Sequence, residues 1–190
     1  MLGYDAMTLG NLDLHHPLKV LMKQREWAGF PFLSANVVKK ESGELLVDPY
    51  IIKEFDGLRV AIFGLTLEQA DFSSKHGKVL DSRCVIETAR VLMPKLKAEA
   101  DVIIALAHTE FQLVPDLWSR TSGAVELAKE VPGIDVIVGG KSRINLDEVH
   151  VSGDPLIVQA GEYGLYVGRL DLTIDSETNT VTEYTYKLFP

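Results

Sequence analysis

The sequence is short of positive charge and of cysteine, and each shortage excludes a class of protein. Its 19 Lys and Arg residues against 27 Asp and Glu residues leave a net charge of −8. The basic residues form no block that could neutralise a phosphate backbone, so we expect no nucleic acid partner. The lone Cys84 excludes a disulfide within the chain but leaves the redox compartment open.

Export and membrane signals are also missing from the sequence as written. The opening residues "MLGYDAMTLG" contain no basic start followed by a long apolar run, and nowhere do about 18 apolar residues occur together. We therefore expect neither a secretion signal nor a membrane span in this chain, and its location stays open.

What is present predicts one α/β domain. Of the 190 residues, 46% are hydrophobic, which suffices for a sizeable core. Three nearly continuous apolar runs are typical of parallel strands buried on both faces: "LRVAIFGLT" (58–66), "DVIIALAHT" (101–109) and "IDVIVGG" (134–140). Helical spacing between them predicts two helices, whose apolar faces are Val85, Ala89, Leu92 and Leu96 (with Pro94 inside) and Ala124, Leu127, Ala128 and Val131.

The flanking regions predict further elements. Residues 17–28 have helical spacing, with Gly29 placed to end the helix. "FPFLSANVV" (30–38) predicts a strand that the Ser42–Gly43 turn would join to "VDPYIIKEFDG" (47–57) in a hairpin-like pair. The tail predicts an antiparallel hairpin over "SETN" (176–179). We interpret Trp27 and Trp118 as packing anchors.

Ligands of open α/β sheets bind at the carboxyl ends of the strands, which here are residues 10–13, 64–66, 108–110 and 139–143. His108 directly follows an apolar run, so it could be a metal ligand, a general acid or base, or a hydrogen-bonded structural histidine. Lys141 and Arg143 follow a double glycine and could hold a phosphate, or could form a solvated basic turn. His15 and His16 we interpret as helix-entry residues rather than metal ligands.

Six blocks in one order resemble the 5'-nucleotidase family, the UDP-sugar hydrolase and 5'-nucleotidase group of calcineurin-like metallophosphoesterases. They are "GYDAMTLGN" with "HPL", "FPFLSAN", "GLRVAIFGLT", "DVIIALAH", "VPGIDVIVGG" and "VQAGEYGLYVGRLDL". The resemblance implies part of a metallophosphoesterase α/β sandwich, with a buried parallel sheet, flanking helices and an antiparallel C-terminal section. It also implies phosphoester hydrolysis of nucleotides by two divalent metals such as Zn, Mn or Co, which activate water and clamp the phosphorus centre.

Residue by residue, the resemblance implies an altered site. Asn11 and His108 match metal-binding residues of the family. Leu12 takes the place of its catalytic histidine, so no catalytic residue is assigned. His15 takes the place of the aspartate that supports that histidine.

The last family motif, Gly-Gly-His-Ser followed by Gln or His, reads "GGKSR" here. Lys141 and Arg143 thus replace two metal-binding side chains, and a cation repels a dication and has no lone pair to give. They could instead hold a phosphate directly.

The resemblance also implies that residues 1–190 form a single domain without the family's N-terminal metal-binding motifs or its C-terminal nucleotide-binding domain. We expect weak or no activity from this chain alone, with a non-catalytic phosphate-binding or nucleotide-binding domain, or a structural one, as the alternative. An upstream polypeptide could also supply the missing motifs. The lost strands would expose a sheet edge, so self-association or a covering partner is expected. Family members commonly act in the periplasm or at the cell surface, but this chain leaves its location open.

Overall fold

The computed structural model describes residues 3–68, 79–111 and 122–190. Within these ranges the chain forms twelve strands and three α-helices, with a short 3-10 helix at Asp13–His15. In chain order they are β1 (Met7–Thr8), α1 (Leu18–Ala28), β2 (Phe32–Leu33), β3 (Val37–Lys39), β4 (Tyr50–Phe55), β5 (Leu58–Thr66), β6 (Leu80–Ser82), α2 (Val85–Glu99), β7 (Val102–His108), α3 (Ala124–Glu130), β8 (Val136–Gly139), β9 (His150–Val151), β10 (Leu156–Val158), β11 (Val167–Ile174) and β12 (Val181–Phe189).

A six-stranded sheet in the order β4-β5-β7-β8-β10-β9 forms the centre of the fold. The four inner strands β5, β7, β8 and β10 are parallel, while β4 and β9 are antiparallel to their neighbours at the two edges. The three apolar runs of the sequence therefore form adjacent parallel strands, as predicted, because each buries side chains on both faces.

Helices α2 and α3 cover one face of this sheet. The predicted apolar faces are confirmed, since Val85, Ala89 and Leu96 of α2 are buried in the same cluster as the residues of α3. From the sheet, that cluster takes alternate side chains of each strand, namely Phe63, Leu65, Ile103, Ile137 and Ile157. Alternation along the strands thus assigns one face of the sheet to the helices and leaves the other to the rest of the chain.

The predicted pairing of residues 30–38 with residues 47–57 is wrong. The first segment forms two strands, β2 and β3, in different two-stranded sheets, because Ser34 and Asn36 between them turn buried side chains toward Thr66. The Ser42–Gly43 turn does close back on β3, where Leu46 N donates to Val37 O at 2.9 Å.

Strand β4 pairs instead with β5 through a two-residue turn at Asp56–Gly57. Both turn residues have positive φ, 51° and 87°, which is the type I′ geometry that favours an Asp-Gly pair in tight hairpins.

The predicted helix over residues 17–28 is confirmed as α1, and Gly29 ends it with φ 72°. Trp27 on this helix is 73% exposed, so its prediction as a packing anchor is wrong. Its ring instead lies 5.5 Å from the ammonium of Lys23, which is an exposed cation–π contact. Trp118 lies outside the described residues.

The C-terminal hairpin is confirmed as β11 and β12, which pair only with each other within the part of the chain that the structure describes. Its Leu170, Leu172 and Tyr186 face Ile104 and Val138 on the second face of the central sheet across an apolar cleft of about 270 Å³. This face is less well covered than the helical one, since Val138 stays 37% exposed. None of the helices within the described ranges has the length and apolar character needed to cross a membrane.

Candidate functional site

Three of the four predicted strand ends meet at one cleft of about 340 Å³. The cleft lies where β7 and β8 end and where the loop after β1 crosses the sheet edge. Its lining includes Asn11, Leu12, His108, Lys141, Arg143 and Tyr163. The fourth strand end, Thr66 on β5, is fully buried behind it.

Asn11 and His108 are directly hydrogen-bonded, with Oδ1 and Nε2 2.9 Å apart. Because the amide oxygen can only accept, the imidazole donates through Nε2–H and keeps a lone pair on Nδ1. The loop passes close to this ring, since a Cβ on Gly10 would lie 3.0 Å from Cε1 of His108 and would require the ring to shift. The Gly-Asn pair of the loop therefore positions the ring as well as binding it.

The histidine is held in its neutral form. Burial lowers the pKa of His108, and the nearby ammonium of Lys141 lowers it further, while Asp13 and Glu110 oppose the effect. A neutral imidazole is the form that a metal ligand or a general base requires.

Lys141 and Arg143 both line the cleft, and each already has a carboxylate partner. Lys141 Nζ lies 3.0 Å from Glu110 Oε1, and both side chains are about two-thirds buried. Arg143 is more open: its Nε lies 3.4 Å from Glu162 Oε2, and its guanidinium carbon lies 5.8 Å from the centre of the Tyr163 ring. Any anion in this cleft must compete with Glu110 and Glu162.

The described residues fit only part of a metal centre. The 2.9 Å separation of Asn11 Oδ1 and His108 Nε2 is close to the roughly 3 Å between two ligands that each lie about 2.1 Å from one cation. Ligation through Nε2 would require the other tautomer, with the proton on Nδ1, because Nε2–H donates to Asn11 in this structure. The next positions of the cleft hold Lys141 and Arg143, which repel a dication. Among residues 3–68, 79–111 and 122–190, no group of three or more His, Cys, Asp or Glu side chains could hold a metal. These residues do not fit a dinuclear centre.

The remaining residues singled out in the sequence contribute no polar side-chain contact to this cleft. Leu12 is 60% exposed at the mouth of the cleft and offers no polar atom. His15 and His16 are exposed at the end of the 3-10 helix. Cys84 is exposed and directly precedes α2.

Sequence reasoning missed a buried polar cluster that supports the site. Asn36 donates through Nδ2 to Thr66 O at 2.6 Å and accepts from Thr66 N at 2.8 Å. The Thr66 hydroxyl contacts Ser34 Oγ at 2.8 Å and donates to Leu9 O at 2.9 Å, two residues before Asn11. The signal in the sequence was the pair of polar residues inside the apolar segment "FLSANVV".

A glycine lets this cluster form. A Cβ on Gly64 would lie 2.5 Å from Leu33 O, so only glycine allows β2 to lie against β5. The Leu33 carbonyl in turn accepts from Leu9 N at 3.0 Å, which places the Gly10–Asn11 loop over the strand ends.

Known proteins share this architecture, although no family model matches the chain. The 5'-nucleotidase of Vibrio cholerae is 37% identical over 216 aligned positions, which cover 100% of this chain and 38% of that protein. The calcineurin-like phosphoesterase YfkN from Bacillus subtilis matches with a TM-score of 0.84 at 29% identity, over 98% of this chain and 64% of that one. The 5'-nucleotidase precursor from Thermus thermophilus matches with a TM-score of 0.81 at 27% identity, over 97% of this chain and 38% of that one.

The chain belongs to the 5'-nucleotidase family. It spans 38% of the length of the curated relative from Vibrio cholerae. Its sheet and helices have the metallophosphoesterase fold, so the predicted fold class is confirmed. Asn11 and His108 line one cleft together with the cations Lys141 and Arg143. The family resemblance implies a metal ligand at each of these four positions.

Proposed function

We propose that this chain by itself is a degenerate 5'-nucleotidase domain with weak or no hydrolytic activity. The ion pair between Lys141 and Glu110 carries the proposal, since it holds an ammonium beside the neutral ring of His108. A cation fixed at that point opposes the entry of a dication. His108 and Asn11 therefore lack the additional metal-binding side chains that a two-metal centre needs.

The position of Leu12 supports the same proposal. The family resemblance puts the proton donor there, and a leucine side chain can neither give a proton to a leaving oxygen nor stabilise its charge. Zn, Mn and Co, the metals that the resemblance implies, should therefore bind weakly and below one equivalent. An upstream polypeptide could supply further ligands, but Leu12, Lys141 and Arg143 would remain.

A second function is favoured by the positions of Lys141 and Arg143, which line one cleft together with Asn11. Without metals, these two cations could hold a phosphate or a nucleotide phosphate group directly. Arg143 is the more available, because its side chain is 61% exposed and its contact with Glu162 is long at 3.4 Å. Since Glu110 and Glu162 compete for the cations, we expect the binding to be weak and to decrease with salt.

Metal content and turnover of one sample test the first proposal. The chain is incubated with Mn, Zn and Co in turn, dialysed, analysed for metal, and then assayed with adenosine monophosphate and a generic phosphomonoester. Sub-stoichiometric metal without turnover is expected. Stoichiometric metal together with turnover would overturn the degenerate interpretation.

Calorimetric titration with inorganic phosphate and adenosine monophosphate tests the second. The double variant Lys141→Ala/Arg143→Ala should lose binding. Its matched control is Lys23→Ala/Arg25→Ala, a Lys and an Arg at the same spacing whose partners Glu26 and Asp48 lie elsewhere. Unchanged phosphate binding in Lys141→Ala/Arg143→Ala would contradict the phosphate-site hypothesis.

A further inference from the structure

The outer edge of the C-terminal hairpin pairs with no strand among the residues that the structure describes. Strand β12 pairs with β11 along one side, and on its other side no strand of the described ranges lies next to it. An open edge of nine residues presents N–H and C=O groups that can bind another strand. Two-stranded ribbons are also marginal by themselves, so further strands would stabilise this one.

The two faces of β12 differ in character. Tyr184 and Tyr186 lie opposite Leu172 and Leu170 of β11 on the face that turns toward the central sheet. Glu183, Thr185 and Lys187 alternate with them and are exposed on the other face. A strand added to this edge would extend an apolar face and a charged face at the same time.

We propose that the edge is occupied by β12 of a second copy of this chain, antiparallel and related by a two-fold axis at Thr185. In that register Glu183 lies opposite Lys187 of the other copy, and Tyr184 lies opposite Tyr186 of the other copy. The two-fold axis repeats each of these pairs, so the interface contains two of each. Opposite charges and aromatic pairs directly across two strands are both favourable. The interface would be self-complementary, as a two-fold dimer requires.

Charge complementarity favours β12 over β11 as the dimer edge. Glu183 and Lys187 have no ion-pair partner in the part of the chain that the structure describes, although the Lys187 ammonium lies 5.0 Å from the Phe189 ring. On β11, by contrast, Arg169 is already paired with Asp171 at 2.8 Å within the strand. The charges of β12 are therefore the ones that gain partners in a dimer.

The backbone of β12 allows this register. The ladder with β11 is irregular only near Thr182, where Thr173 pairs with Glu183 and Ile174 pairs with Val181. From Glu183 to Phe189 the pairing is regular. The segment that would pair with its copy is thus free of bulges. The dimer would contain a four-stranded sheet with one continuous apolar face.

A single strand edge buries less area than stable dimers usually do, so we expect a weak, concentration-dependent dimer. This inference does not rest on the proposed function, since it concerns the hairpin and not the cleft.

Charge reversal tests the register by sedimentation over a range of protein concentrations. Glu183→Lys and Lys187→Glu alone should each raise the dimer Kd by about tenfold, because both place like charges opposite one another. The combined exchange Glu183→Lys/Lys187→Glu should restore the wild-type Kd. Glu177→Lys, in the turn outside the edge, is the matched control and should leave Kd unchanged. A wild-type chain that stays monomeric, or a double exchange no tighter than the single ones, would overturn the proposal.

Cross-linking tests the axis separately. With Cys84→Ser removing the native thiol, Thr185→Cys should give a disulfide-linked dimer under mild oxidation, since residue 185 would meet its own copy. Thr173→Cys, which is exposed on the same face but on β11, should not. Equal cross-linking of both variants would show random collision and would contradict the two-fold pairing.

Discussion

Asn11 Oδ1 and His108 Nε2 lie 2.9 Å apart although 97 positions separate the two residues in the chain. The sheet register explains how they meet. His108 pairs with Thr66 across β7 and β5, and the Thr66 hydroxyl donates to Leu9 O, just before Asn11. The fold thus brings an amide oxygen and an imidazole nitrogen together at the strand ends, in a cleft that the cations Lys141 and Arg143 also line.

The charge of Lys141 should be measurable at His108. Lys141→Met should raise the pKa of His108, because after burial the ammonium is the strongest influence that lowers it. Asp13→Asn should lower the pKa of His108 below its wild-type value, because the Asp13 carboxylate raises it. NMR titration of the ring protons of His108 measures both changes. Lys23→Met, a distant charge on α1, should leave the curve in place. A curve for Lys141→Met that overlays the wild type would contradict the electrostatic account of this site.

Replacing the two cations by family-type ligands should restore metal binding in part. Lys141→His/Arg143→Gln is expected to tighten Zn²⁺ binding by at least about tenfold over wild type, since ligands replace repelling charges beside Asn11 and His108. Lys141→Ala/Arg143→Ala separates ligation from relief of repulsion and should bind more weakly than the His/Gln variant. Calorimetry with Zn²⁺ compares them, and equal affinities for the two variants would refute ligation.

The fold could be predicted further from the sequence than the site. Apolar runs and helical spacing predicted the parallel strands and helices, because those patterns reflect burial along one element. The pairing of residues 30–38 was mispredicted because the side chains of Ser34 and Asn36 reach Thr66, a contact that no local pattern encodes. Strand ends predicted the place of Lys141 and Arg143. Their partners Glu110 and Glu162 depend on how separate loops meet, which spacing along the chain does not reveal.

Two buried threonines, Thr66 at the end of β5 and Thr109 directly after β7, should respond differently to the same substitution. Thr66 Oγ1 bonds to Ser34 and Leu9, whereas Thr109 Oγ1 has no hydrogen-bond partner among the residues that the structure describes. Thr66→Val should lower the free energy of unfolding by ~2 kcal/mol, because it leaves buried partners unsatisfied. Thr109→Val should change it little or raise it, since the hydroxyl is buried unpaired. Urea unfolding compares them, and equal losses would contradict this assignment of partners.

Asp135, directly before β8, should make stability depend on pH in an unusual direction. Burial raises the pKa of Asp135, against the hydrogen bond from Ile103 N and the charge of Lys97. A carboxyl whose pKa is higher in the folded state than in the unfolded state favours folding when it is protonated, so its contribution falls as pH rises through the folded pKa. Asp135→Asn keeps an acceptor for Ile103 N and removes the charge. It should therefore raise the free energy of unfolding at about pH 7, and the gain should shrink toward about pH 4, near the ordinary pKa of aspartate.

Asp175 provides the opposite case for the same experiment. Hydrogen bonds from the backbone N–H groups of Thr178 and Glu177 lower the pKa of Asp175, so its ionised form stabilises the turn between β11 and β12. That contribution is present above the unfolded pKa and is lost as pH falls through the folded one. Asp175→Asn should lower stability at neutral pH, where Asp135→Asn raises it, and both differences should shrink in acid. Urea unfolding of both variants across this pH range measures the two signs, and a loss of stability at neutral pH in Asp135→Asn would show that the hydrogen bond from Ile103 N outweighs the cost of burying the charge.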